Sequence, residues 1–419
     1  MKRDAMAPLE RALVRRLDEL GRISDDAGGL TRTFLSPAMG HAHGLVGRWM
    51  MEAGLSVSVD AVGNLIGRLE APKPKARTLL IGSHLDTVRN AGRFDGALGV
   101  VLPIVALAEL RRRGVTLPFS VEVIGFSEEE GMRFPCAYIG SKGYTGELRA
   151  YDLNVRDAAG VSLRSALEAF NQGSFALPQA THRARDVLGY LEVHLEQGPV
   201  LEKQGAAVGV VSGIAGQTRG CLKFRGHAGH AGTTPMNLRR DALAGAAEFV
   251  LFAEDHARSR PPLVATVGNV VVPNGTTNVI AGESSVTLDV RHPNDAHVRR
   301  AVAALVKSAQ QIAKRRGLGC EWEQTMAHPA TPCSAELTAE LSQSVRAVQN
   351  RELSLVSGAG HDGVVMARVA PIAMLFVRCR DGLSHHPDEY VAPADLGVAL
   401  RVVIDFIERL AAKTESKIT

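Results

Sequence analysis

His84 and Asp86 stand two residues apart just beyond the apolar run Thr78-Leu-Leu-Ile81, and Asp95 follows after a loop that carries Gly92 and is closed by Gly96. In extended chain alternate side chains share a face, so His84 and Asp86 point the same way. An imidazole and carboxylates gathered at a strand end can bind a borderline divalent metal such as zinc or manganese. His-x-Asp by itself is better explained as an ordinary polar loop with a capping Asp, so recurrence has to decide. Three more polar clusters follow or end apolar runs: Glu128–Glu130 after Phe119–Phe126, His194 in Tyr190–Leu195, and His385/His386 after Pro371–Val377. Taken singly, His194 reads as a half-buried strand histidine and the glutamate run as a solvated face or helix start. Taken together, they lie where open α/β sheets collect ligands, at the carboxyl ends of strands. Their joint inventory of imidazoles and carboxylates suits a two-metal hydrolytic site with a shared bridging carboxylate.

The elements that must position these residues are legible in outline. Residues 8–20 and 41–53 space their apolar side chains for amphipathic helices, as at Leu9, Leu13, Leu17 and Leu20. Val57–Ile66 reads as a hairpin turning at Gly63 and Asn64, and the stretch from about Gly99 to Arg113 as a buried helix. Strands alternating with helices predict an α/β domain with a mostly parallel, mixed sheet flanked by helices. Near residue 212 the texture changes. Runs 219–225, 263–272, 284–291 and 320–326 read as strands, with helices at 241–257 and 295–316 between them. Four strands and two helices suit an inserted α+β sandwich. The expected organisation is a discontinuous catalytic domain, 1–211 and 330–419, interrupted by a smaller domain at 212–329, with a frayed tail after Ala412.

A chain of 419 residues, 45% hydrophobic and 22% charged, can bury two cores. Its formal charge of +4 is slight and scattered, which argues against nucleic acid or a membrane surface as partner. Five widely spaced cysteines without Cys-x-x-Cys fit a reducing compartment. The longest apolar stretch, Leu98–Leu107, is too short to span a bilayer, and the N-terminus lacks an apolar signal core. A soluble, cytoplasmic protein is expected.

Several motifs, in order along nearly the whole chain, carry a resemblance. Gly82-Ser-His-Leu-Asp-Thr-Val, Gly92-Arg-Phe-Asp-Gly, Phe126-Ser-Glu-Glu-Glu-Gly, Leu195-Glu-Gln-Gly-Pro, Gly229-His-Ala-Gly-Thr-Thr-Pro-Met and Gly382-Leu-Ser-His resemble the hydantoinase/carbamoylase family. This is the ureido-hydrolysing branch of the dinuclear-metal aminoacylase and exopeptidase superfamily, and Glu196-Gln-Gly198 is the signature that separates it from the peptidases. The resemblance implies two divalent ions per subunit, zinc or manganese with cobalt as a further option. Their ligands would be His84, Asp95, Glu130, His194 and His385, with Asp95 bridging. Asp86 would orient His84 through its other ring nitrogen, and Glu129 would be the general base. Spacing alone does not separate Glu128, Glu129 and Glu130. His386, where the family usually has a small residue, is the alternative to His385, and His227 is read as a surface histidine.

In the inserted domain the resemblance makes His230 the group that supports the oxyanion. Gln217, Asn278 and Arg291 would hold the substrate carboxylate, and Gly358, in Gly358-Ala-Gly-His-Asp362, belongs to a substrate-side loop. His361 there reads as a supporting residue. It further implies a homodimer through this domain and a small ureido acid as substrate. Thr87-Val-Arg-Asn-Ala-Gly and the 119–130 segment look most like the allantoate amidohydrolases, giving ureidoglycine, carbon dioxide and ammonia. N-carbamoyl-L-amino acid hydrolysis or β-ureidopropionase activity is the alternative, dipeptide hydrolysis is disfavoured by Gln197, and a non-catalytic binding protein is the remote one.

Overall fold

The computed structural model describes residues 3–416, in two compact units: Met1–Ser212 with Cys333–Thr419, and Gly213–Pro332. In the larger unit the strands Thr78–His84 and Ser120–Phe126 are buried at every position. Continuous burial of apolar runs marks strands covered on both faces. The sheet runs in the order Ser56–Val59, Leu65–Leu69, Ser120–Phe126, Thr78–His84, Val187–Leu195, Ile372–Val377, Val208–Ile214. Its four central strands are mutually parallel, and the outer pairings are antiparallel. All four central strands therefore end on one edge. His84 lies level with Phe126, and His194 with Phe376.

The helix Ala97–Arg112 starts directly behind the Asp95 loop and is buried from Ala97 through Leu107. The hairpin expected at Val57–Ile66 forms with Val59 opposite Leu65, and Asp60 Oδ1 accepts the N–H groups of Val62 and Asn64 across the turn. The C-terminal end differs from expectation. The helix Pro393–Ser416 continues past Ala412, with Lys413 ion-paired to Glu336 and Glu340 on the helix Ala335–Gln349, at 3.0 and 2.6 Å; the last three residues of the expected tail lie outside the described residues. Among the described residues all five cysteines are free thiols, and no helix is long and apolar enough to cross a membrane.

The smaller unit is built on alternation. In Gly216–Arg225 and Glu283–His292 every second residue is buried, so Leu222, Phe224, Val286, Leu288 and Val290 face a core shared with the helices Ala242–Arg258 and Asp295–Arg315. The other face of the sheet carries Gln217, Arg219, Asp289 and Arg291. Asn294 caps the second helix, its side chain accepting from the N–H groups of Ala296 and His297. The apolar stripe Val298, Ala301, Leu305, Ala309, Ile312 turns inward at helical spacing. A small strand pair, Gly229–His230 with Val279–Ile280, completes the unit.

Candidate metal-dependent active site

Asp95 is the centre of the polar cluster at the strand ends of the larger unit. His194 Nε2 stands 3.1 Å and His84 Nε2 3.9 Å from its Oδ1, while His385 Nε2 stands 3.1 Å from its Oδ2. Glu130 Oε1 is 3.4 Å from the same His385 nitrogen. Ligand atoms of His84, Asp95 and His194 converge within 4.8 Å, as do those of His84, Glu129 and Glu130, and those of Asp95, Glu130 and His385. The two oxygens of Asp95 thus face two separate donor sets, which is the arrangement a bridging carboxylate needs.

Backbone contacts fix the imidazoles. His84 Nδ1 bonds the carbonyl of Asp86 at 2.9 Å and His194 Nδ1 that of Leu195 at 3.1 Å, so each ring donates from Nδ1 and turns its Nε2 inward. Asp86 departs from its expected role. Its carboxylate lies 3.7 Å from His84 Nδ1, beyond hydrogen-bond reach, because it is engaged elsewhere: Oδ1 and Oδ2 accept the N–H groups of Glu129 and Glu130, each at 3.0 Å. The group that orients His84 is the backbone of Asp86, and the side chain of Asp86 holds the glutamate loop.

The glycines of the Asp95 loop are dictated by space. A Cβ on Gly96, whose φ is 63°, would lie 2.5 Å from three ring atoms of His84, and one on Gly92 would lie 2.3 Å from Glu389. Glu389, which no sequence pattern singled out, accepts the N–H groups of Phe94 and Asp95 at 2.9 and 3.1 Å and the hydroxyl of Ser384 at 2.8 Å. Ser384 also reaches Asp95 Oδ2 at 3.1 Å, and the Gln197 amide lies 3.3 Å from that oxygen. His385 adopts φ 56°. His386 turns away, its Nδ1 accepting the Asp388 N–H at 3.2 Å. Glu128 accepts from Arg133 and Phe134 and so serves its own loop. His361 is buried, bonded to Ser357 at 2.8 Å, with its ring edge-on to His194. Gly358 is exposed, and a Cβ there would meet open space.

The electrostatics describe a site crowded with acid. Burial, then the charge of Glu130, pushes Glu129 well above the usual carboxylate range. Burial and Asp95 push Glu130 up to about 7. Burial alone would raise Asp95 too, but hydrogen bonds from His194 and His385 outweigh it and hold Asp95 well below its ordinary value. The Asp95 hydrogen bond lifts His385 to about 9, and it lifts His194 to about 9 against burial, whereas burial drives His84 down to about 4. His194 and His385 are close basic partners of Asp95, each with Nε2 3.1 Å from one of its oxygens. Buried carboxylates and imidazoles in these numbers fit divalent cations well.

The remaining expected residues belong to the smaller unit. Arg291 and Gln217 are cross-strand partners on its polar sheet face. The Arg291 guanidinium is braced on Asp289, at 2.9 Å from Nε and 2.8 Å from Nη2, and Asp289 also takes Arg219 at 2.7 Å. His230 is exposed, its Nδ1 accepting the Gly232 N–H at 3.1 Å, which fixes Nε2 as the protonated nitrogen. Asn278 is brought beside it, since its carbonyl accepts the Ala231 N–H at 2.9 Å. His227 is exposed.

Residues 80–409 match the family described as Peptidase family M20/M25/M40. The chain is 38% identical to allantoate deiminase 2 of Glycine max, over 98% of this chain and 92% of that protein. It is 40% identical to the N-carbamoyl-L-amino acid amidohydrolase of Geobacillus stearothermophilus, over 95% and 98%. Among solved structures, a hydantoinase/carbamoylase family amidase from Burkholderia multivorans superposes with a TM-score of 0.91 at 32% identity, covering 96% of this chain and 98% of that one. With the motif order, the parallel-strand edge and the two-sided Asp95 cluster all coinciding over that length, the chain belongs to the M20/M25/M40 family, in its hydantoinase/carbamoylase branch.

Proposed function

We propose that this chain hydrolyses the carbamoyl C–N bond of a small ureido acid, with allantoate as first substrate and an N-carbamoyl-L-amino acid as second. The family is metal-dependent, and the reading rests on one observation: Asp95 stands between two convergent donor sets, with Glu129 at their margin. His84, Asp95, Glu130, His194 and His385 would hold two divalent ions, zinc or manganese. When bound, these supply a Lewis acid for the ureido carbonyl and make water a competent nucleophile near neutral pH.

The chain's own residues do the rest. Glu129 takes the proton of the attacking water and passes it to the leaving nitrogen as the C–N bond breaks. The carbamate so released falls apart to carbon dioxide and ammonia. His230, with Nε2–H outward, supports the oxygen on which negative charge develops. Arg291, oriented by Asp289 and level with Gln217, grips the substrate carboxylate, and Asn278 adds an amide donor. The Gly213–Pro332 unit acts as the lid and as the face of a homodimer, and closure excludes bulk water.

The relatives named above support both substrates, since one is an allantoate deiminase and another an N-carbamoyl-L-amino acid amidohydrolase. The test is ammonia release by protein reloaded separately with zinc and manganese, with allantoate, N-carbamoyl-L-amino acids and β-ureidopropionate in parallel. Preference for allantoate is expected. Preference for a carbamoyl amino acid would move the substrate and keep the chemistry. Silence on all three with metal bound would leave a non-catalytic binding protein. The variant Glu129→Gln should lose about a hundredfold or more in kcat while keeping metal and substrate binding.

A further inference from the structure

The smaller unit contains a cavity of about 730 Å3 lined by none of the residues assigned above. Its ionisable lining comes from three elements. His256 and Arg260 lie at the end of the helix Ala242–Arg258 and just beyond it, His292 ends the strand Glu283–His292, and His297 and Arg300 lie in the first turns of the helix Asp295–Arg315. All five are basic, and no carboxylate lines the cavity. Among the described residues Arg300 has no hydrogen bond or ion pair.

The geometry favours an anion with a flat body. His292 is buried, and its Nδ1 accepts the Asn294 N–H at 2.9 Å, so its Nε2 carries the proton and is a donor. Its ring stacks on that of His297, with centroids 4.5 Å apart and planes within 20°. Pro262, Leu263 and Ala304 supply apolar wall. Arg260 is braced on the His256 carbonyl and the Ser259 hydroxyl, at 3.0 and 2.7 Å. A concave surface of uncompensated positive charge focuses potential toward an anion, and the volume falls within the range of small-molecule sites. Burial, then the neighbouring His297 and Arg300, lowers the proton affinity of His292.

We propose that this cavity is a second binding site, for a small organic anion whose acidic head lies on Arg300 and His292 and whose flat body lies against the paired imidazoles and Pro262. His292 directly follows Arg291 on the strand, so an occupant would sit behind the residue assigned to the substrate carboxylate. The site stands whatever ureido acid the enzyme takes.

Calorimetric titration of the metal-loaded full chain tests it, with benzoate as probe, neutral benzamide as its uncharged match and inorganic phosphate as head without body. Benzoate should bind once per chain, benzamide not at all, and phosphate more weakly than benzoate. Arg300→Glu should weaken benzoate about tenfold or more. Ala304→Phe, which fills the cavity without changing charge, should abolish binding, and Arg291→Lys should leave it intact. Benzoate binding that survives both cavity variants, or that disappears in Arg291→Lys, would overturn the proposal. Equal binding of benzamide would overturn the anion requirement, and phosphate matching benzoate would overturn the flat body.

Discussion

The carboxylate of Asp86 accepts the backbone N–H of Glu129 at 3.0 Å, and its second oxygen takes that of Glu130 at the same distance. A buried side chain that accepts with both oxygens tolerates no amide, since Asn offers one oxygen and turns a donor toward the second N–H. The mispaired group costs about 1–3 kcal/mol, and the cost falls on the loop bearing the proposed base and a proposed ligand. Asp86→Asn should therefore lower kcat about tenfold or more, with KM and metal content close to the parent. Steady-state kinetics with metal analysis reads this, and an unchanged kcat would show that the loop holds its shape unaided.

Gly96 is required by His84 as much as by its own backbone. A methyl at this position would sit 2.5 Å from the imidazole, at φ 63°. Gly96→Ala should displace the His84 ring and cost at least one bound ion per chain, while leaving most of the fold. Plasma emission analysis after gel filtration would show the loss. Full occupancy would mean that the loop relaxes, and the spatial argument would fail.

Metal uptake should strengthen as pH rises. Without metal, Glu130 keeps its proton up to about 7, and His194 and His385 keep theirs up to about 9. Each must be lost before the atom can act as a ligand. Protons bound in the free chain and absent in the loaded one make affinity increase with pH between about pH 6 and about pH 9, and loading should acidify a weakly buffered solution. Chelator competition at several pH values measures the slope. A flat or falling profile would remove these groups from the ligand set.

The sequence made the strand ends legible because a buried parallel strand writes itself as an unbroken apolar run, and polar residues just beyond Thr78–His84 and Ser120–Phe126 stand out against it. The inserted unit was legible for the complementary reason, strict alternation in Gly216–Arg225 and Glu283–His292. Spacing could align His84 with Asp86 but could not name the partner of Asp86, which lies forty-three residues on at Glu129. Glu389 was invisible because its partners, Phe94 and Asp95, are almost three hundred residues away and offer only backbone N–H groups. The helices Ile139–Thr145 and Leu163–Phe170 lacked a long enough period to be read.

Arg32 escaped notice because a charged residue is presumed exposed, yet it is 1% exposed. Its Nε donates to the carbonyl of Leu85 at 2.7 Å, and Nη1 to those of Leu20 and Ile23 at 3.1 Å each. Its backbone exchanges bonds with Thr87, to the hydroxyl and from the N–H, both at 2.9 Å. The N-terminal helix is thereby tied to the residues on either side of Asp86. Burial lowers the guanidinium to about 10, with Asp86 opposing, so it stays charged at neutral pH. Arg32→Met keeps the bulk and strands three carbonyls, which should cost about 3 kcal/mol or more. Arg32→Lys, with one point of charge in place of a fork, should recover only part of this. Because Leu85 lies between His84 and Asp86, the same variants should release metal faster than the parent. Urea midpoints and the rate of metal loss to a chelator test the two effects separately. Parental values for Arg32→Met in both would show that Arg32 carries neither stability nor the geometry of His84.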